Sequence, residues 1–532
     1  MRRFVFPIRI LLLFGLVILA HAQPTIQANT RLVQINVLVR DSKGQSIPDL
    51  AQEDFSVEVS GRRRPIQVFS VERNVVQNRT APESAQLPFS NRPVAGDPNL
   101  VIILFDEYNT SSIDVARARK QLVEVISRLE PNSRIALYLL TKELKVLLDF
   151  TTERAALAAK LAAHAPVPGF TTEGLELGPT VETRSAALQA ALAHAEAMVS
   201  DARSAHRVEV TLDALNLISA HVAGIPGRKT LIWLTSGVPM LIGYDPASFG
   251  ASRVGQRNLN PEVIRTARNL ERADIAVDTV DLRGIRPDDQ AKVPNTRRRL
   301  PNAQSPFEMD SSYDTMMALA KETGGEVFRN TNDIGRAVQR AIDDSQVSYT
   351  LGFYASQAEL DGSYRSFRVQ VKGHGMHLRY RSGFFATPDP SAQESLTQPL
   401  AGLLGAGVSL SEISLTAEIQ HLPNGTYRLT AHVGPDGLTL REENGQWTGD
   451  LEWLAAPGKK GLYSAPSQRL HVVLKSDAYR EVRAHGLALT QLIALQEEDS
   501  EIGTAVRDVS TGAVGSIRMF RRSEASPDVS KH

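Results

Sequence analysis

Residues 101–114, VIILFDEYNTSSID, decide how this chain is read. Four aliphatic residues and Phe105 form a run with no polar break, as expected of a strand buried on both faces of a parallel sheet. The run ends abruptly in Asp106, Glu107, Tyr108, Asn109, Thr110 and Ser111. Ser111 or Ser112 is suited to cap a following helix, read over 113–129, with Ala118, Leu122, Ile126 and Leu129 on one side. A strand that opens into oxygen-bearing side chains and then a helix is where open α/β sheets place ligands.

Working outward, residues 99–345 alternate strand and helix signals, which predicts a mainly parallel sheet covered on both faces. RIALYLLT (134–141), VLLDF (146–150), KTLIWLT (229–235) and DIAVDTVDL (274–282) read as strands, with VLLDF at an edge. Helices are expected at 152–163, 260–272, 312–322 and 332–344. The Ala-rich stretch 183–223 is helical, and at 1.5 Å per residue one helix of that length reaches roughly 60 Å, so a break or a projection is expected. Residues 286–308 read as an exposed loop.

The flanks are different. Residues 23–76 alternate apolar and polar positions around turns and read as a β-unit, with the Arg62-Arg63-Arg64 run at a solvated hairpin tip. Residues 346–386 carry three more alternating strands, which neither segment can bury alone, so the two are candidates to pack as one β-module. Residues 77–98 and 387–404 read as linkers. Residues 405–522, with turns at Asn424-Gly425, Asp436-Gly437 and Asn444-Gly445, read as a β-sandwich, and 523–532 as a tail.

Composition narrows the function. The 532 residues are 42% hydrophobic and 22% charged, ordinary for globular domains. Residues 1–22 have a basic start, an apolar stretch and Ala20-His21-Ala22 before Gln23, which predicts a cleaved signal peptide and a secreted or periplasmic protein. Removing Arg2, Arg3 and Arg9 from 59 basic side chains leaves 56 against 59 acidic ones, a balance that argues against nucleic acid as partner. No later segment has the run of about 20 apolar residues needed to span a bilayer. With no cysteine, thiolate zinc sites, disulfides and thiol nucleophiles are excluded.

The ordered segments VRDSKGQSIPDLAQEDFSVEVSGRRRPIQVFSVE, VIILFDEYNT, LLDFTTERAAL, GRKTLIWLTSG, VDTVDLRGI, ETGGEVFRNTNDI and SYTLGFYA with DGSYRSFRVQVK span 30 to 386. In that order they resemble the von Willebrand factor A (VWFA) domain, and more narrowly the VWFA-related family of exported bacterial proteins. The resemblance implies a Rossmann-like VWFA domain between β-domains and a role in protein–protein binding or adhesion. It also implies a metal-ion-dependent adhesion site with an Asp-x-Ser-x-Ser motif, a loop Thr and a second Asp. Asp106 matches the first Asp and Thr110 the second Ser. Tyr108 stands at the first Ser, Thr171 or Thr172 at the loop Thr, and Ser236 where the second carboxylate belongs.

One carboxylate is little compensation for dehydrating Mg²⁺. The expectation is therefore a degenerate site without a cofactor, in which Glu107, Asn109, Ser111, Thr171, Thr172, Ser236 and Asp281 serve as a binding face for an unidentified protein partner. The alternative is a metal-dependent adhesin, with Asp106 and Thr110 holding Mg²⁺ or Mn²⁺ and Glu107 or Asp281 compensating. An envelope hydrolase is a third reading, disfavoured because no G-x-S-x-G elbow or H-E-x-x-H helix occurs, so no enzyme is expected. GIPGRKT (224–230) lacks phosphate-loop spacing, and His374 and His377 read as solvated hairpin residues.

Overall fold

A computed structural model describes residues 31–73, 89–91, 100–130, 133–165, 186–242, 257–285, 306–373, 375–386, 398–459, 461–463, 465–496 and 498–520. The expected signal peptide, its cleavage site, the loop threonines 171 and 172, His374 and the C-terminal tail lie outside them.

The strand Leu100–Asp106 alternates its side chains between two cores. Leu100, Ile102 and Leu104 enter one, and Val101, Ile103 and Phe105 the other. Period-two geometry makes a continuous apolar run necessary when both faces are covered. The strand sits inside a six-stranded sheet ordered Val327–Phe328, Ile275–Asp281, Lys229–Thr235, Leu100–Asp106, Arg134–Leu140, Leu144–Thr151. All pairs are parallel except the last, whose edge strand is antiparallel. Helices α1 (Ser112–Arg128), α2 (Arg154–Ala163) and α6 (Ile334–Asp344) cover one face. Helices α3 (Ala186–Val222), α4 (Asn260–Arg272) and α5 (Pro306–Thr323) cover the other.

The chain runs outward from Leu100–Asp106 in one direction and from Lys229–Thr235 in the other. The order therefore reverses between these two strands. Their carboxyl ends frame the crevice where such sheets bind ligands, and Asp106 and Ser236 stand on its two sides.

Beside this domain, Arg31–Arg40 pairs antiparallel with Val347–Ala355, from Arg31 opposite Ala355 to Val37 opposite Tyr349. Phe55–Val59 pairs with Tyr364–Val371. The two resulting four-stranded sheets close on a core that includes Ile35, Val37, Phe55, Tyr349, Phe353 and Phe367. The α/β domain is thus inserted, in sequence, between the two halves of one sandwich. A second sandwich packs Leu415–His421, Tyr427–Val433 and Leu487–Ile493 against a sheet built on Gln446–Lys459, Glu501–Asp508 and Val514–Phe520.

Several local readings need correction. The stretch 183–223 contains one uninterrupted helix, α3, of 37 residues. Of the two expectations the break is absent and the projection holds: the C-terminal part, from Ala205, is held by the sheet on one side and the second sandwich on the other, while Leu188, Met198 and Val199 in the N-terminal part are exposed. The segment 387–404 is not linker to its end: α7 (Leu400–Gly405) begins at Leu400 and buries Leu400, Leu403 and Leu404. Inside 77–98, Phe89–Ser90 forms a short strand on Leu415–His421. Asn91 next to it is buried, and its side chain bonds the backbone of Leu410, Ile413 and Leu415 at 2.7 to 2.9 Å. Helix α5 starts at Pro306, inside the stretch read as loop, and α8 (Ser476–His485) interrupts the C-terminal strands.

Candidate functional site

Asp106 ends its strand fully buried. Its Oδ1 accepts the backbone N–H of Asn109 at 3.0 Å and the Asn109 side-chain amide at 3.1 Å. Its Oδ2 accepts the same amide at 2.9 Å, the Trp233 indole N–H at 3.2 Å and the Thr235 hydroxyl at 2.7 Å. Burial pushes the carboxyl above the usual range, while the bonds from Asn109, Thr235 and Trp233 pull in the opposite direction. Every donor is neutral.

The neighbouring acids are engaged elsewhere. Glu107, buried, has Oε2 at 3.1 Å from His164 Nε2, at the C-terminal end of α2. Asp281, at the end of Ile275–Asp281, is forked by Arg283, whose Nε and Nη2 both donate at 2.8 Å, while the Arg283 backbone N–H donates at 3.0 Å. Tyr108 is buried, and that burial raises its phenol. Thr110 Oγ1 accepts the backbone N–H of Ser236 at 3.2 Å, which ties the two loops of the crevice together. Ser111 caps α1: its hydroxyl accepts from Asp114 N at 3.2 Å and donates to Asp114 Oδ2 at 2.7 Å. Ser236 is buried beside Gly237, whose positive φ of 77° and nearness to Ser312 O leave no room for a Cβ.

The crevice thus brings Asp106, Asn109, Thr110 and Ser236 together, with Ser111 at its rim. Glu107 is directed toward α2, and Asp281 is locked by its own neighbour. This donor set does not fit Mg²⁺, which needs carboxylate or hydroxyl lone pairs pointing at one centre. Both oxygens of Asp106 are already accepting, and the indole N–H beside them can donate but never ligate.

Three residues of this cluster escaped the sequence reading. Trp233 and Thr235 sit two apart on one strand and so share a face, a signal present in LIWLTSG once Asp106 is known to be opposite. Thr211, which accepts the Asn109 amide at 2.8 Å, lies 102 positions away on α3 and left no local signal.

The α/β domain is a six-stranded, mainly parallel sheet with one antiparallel edge and helices on both faces, the kind of Rossmann-like layer that the VWFA resemblance implies. Solved structures to which the chain is similar include an aerotolerance-related membrane protein from Bacteroides fragilis, at 14% identity and a TM-score of 0.26, over 46% of this chain and 98% of that one. The vWF domain of the type V pili tip protein Mfa5 from Porphyromonas gingivalis is 12% identical, with a TM-score of 0.27, over 47% and 96%. The PilB minor pilin from Streptococcus sanguinis is 11% identical, with a TM-score of 0.26, over 48% and 62%. No protein-family model and no curated protein matches the chain. Among the described residues, no helix is long and apolar enough to cross a membrane.

Proposed function

We propose that this is an exported protein–protein binding module that works through the loop face above Asp106, with a degenerate metal-ion-dependent adhesion site. One observation carries the reading: the face holds two bare isoleucines on braced backbone. Ile285 is 62% exposed and Ile113 71% exposed. The turn before Ile285 is fixed by the Asp281–Arg283 fork, by Arg117 Nη2 donating to Leu282 O, and by Ile285 N donating to Asn332 Oδ1 at 3.0 Å. Ile113 lies in the first turn of α1, directly after its Ser111 cap. Backbone braced before binding loses little entropy on docking, which favours an apolar side chain carried on it as an interface anchor.

The degenerate character is supported by the saturation of Asp106 and by the diversion of Glu107 and Asp281. Export is supported by the leader-like residues 1–22, and mass analysis of the mature chain should find Gln23 at its start. The binding reading is tested with a photo-crosslinking residue at position 113 or 285, and at Arg480 on α8 as control, in envelope extract of the source cells. Adducts from 113 and 285 that excess unlabelled protein removes, with none from 480, are expected. Equal labelling from all three sites, or none, overturns the reading. Calorimetric titration of Mg²⁺ and Mn²⁺ beside an Asp106→Ala control tests the metal-dependent alternative, which requires saturable heat that the control loses.

A further inference from the structure

The nitrogen of the Asn109 amide stands 2.9 and 3.1 Å from the two oxygens of Asp106, straddling the carboxylate where a cation would face it. The same nitrogen reaches Thr211 Oγ1 at 2.8 Å, and that hydroxyl spends its own proton on Arg207 O at 2.7 Å. Thr211 is therefore an acceptor toward Asn109, and the amide protons bridge a buried acid to α3. Asn109 and Thr211 are both buried, so water does not compete freely for these bonds.

We infer that Asn109 is a built-in substitute for a cation: its amide holds the loop 107–111 closed on Asp106 and ties it to α3, so the loop keeps its shape without a divalent metal. This rests on the binding reading above, because the buried loop leads directly into the first turn of α1, which carries Ile113 on the proposed contact face, and it deepens that reading. A metal bridge to a partner carboxylate is replaced by a surface whose geometry is fixed from within. Asn109 is here a positioning residue. It acts through the loop and touches no ligand.

The test uses the full chain and needs no partner, so its outcome is separate from that of the crosslinking experiment. Hydrogen exchange of the backbone amides of 107–111 is followed with millimolar MgCl2, with MnCl2 and with EDTA. Exchange in the unaltered protein is expected to be the same in all three. Asn109→Ala should exchange about tenfold faster, the ratio for about 1.4 kcal/mol of lost local stability. Thr211→Val, isosteric and remote from the loop in sequence, should move in the same direction and guards against a misfolded Asn109→Ala. Metal-dependent protection of the unaltered protein that Asp106→Ala abolishes would overturn the inference. So would exchange in Thr211→Val indistinguishable from that of the unaltered protein.

Discussion

Arg379 and Leu403 hold the same α/β domain to two different neighbours. Arg379, on the first sandwich, reaches Asp278 at 3.4 Å and Glu326 and Asp344 at 3.1 Å, all on the α/β domain. Arg40 joins Glu326 and Asp344, and Arg381 pairs with Glu271. Asn36 faces Asp274, and the Arg228 backbone N–H donates to Glu72. That seam is ionic. Leu403, on α7, instead belongs to one continuous apolar core that takes in Leu400, Leu404, Val408 and Leu410 together with Leu215, Ile218 and Val222 of α3. Its polar part is small: Ser411 N donates to Ala220 O and Ser411 Oγ to His221 O.

The difference teaches how an inserted domain is fixed in orientation. Apolar contact is non-directional and holds by area alone. A buried ion network contributes little net stability but penalises every misaligned arrangement, because a displaced partner leaves a charge stranded. The seam where the chain crosses twice is the one that carries direction.

The largest effect should follow from breaking the ionic seam. Arg379→Ala leaves Asp278 and Asp344, both buried, without their shared cation, and should cost about 3–5 kcal/mol in urea unfolding. A loss under about 1 kcal/mol would mean that Arg40 and Arg340 carry the network alone. Leu403→Ala tests the apolar side and should cost about 2–5 kcal/mol, falling on the second sandwich and α3 together because they share one core.

Acidity sharpens the contrast further. Lys229 is buried at the ionic seam, where burial lowers its ammonium to about 8, against the pull of Asp274 and Glu72. Between about pH 8 and 10.5 the unfolded chain holds a proton that the folded chain has shed, so stability from this residue rises with pH across that window. Below pH 8 both states are charged and its contribution is flat. Lys229→Met should remove that rise from the pH dependence of unfolding, whereas Leu403→Ala should leave it in place. The smallest effect is expected from Ser411→Ala, which loses the bonds to His221 O and from Gly224 N and should cost about 1 kcal/mol in thermal unfolding.

Much of the α/β layer was legible because it is local. The short run VIILF, closed by polar residues, reads as a strand buried on both faces, Ser111 reads as a cap, and alternating signals give a parallel sheet. The short helix α7 was hidden for the opposite reason: PLAGLLG is a short apolar turn following a Pro- and Ser-rich stretch, and nothing nearby says what buries it. Asn91 was equally silent, since its four backbone bonds are to residues more than 300 positions away.

At the crevice, the sequence by itself determined which oxygens stand at the end of the Leu100–Asp106 strand, and that Tyr108 and Ser236 depart from the metal motif the resemblance implies. Only the tertiary structure decided what those oxygens do. Asp106 is sealed by Trp233 and Thr235 from the adjacent parallel strand, and the Asn109 amide that straddles it is held from α3 by Thr211. A carboxylate's lone pairs are claimed by whichever donors the fold brings within 3 Å, and in a parallel sheet those donors come from strands and helices far apart in the chain.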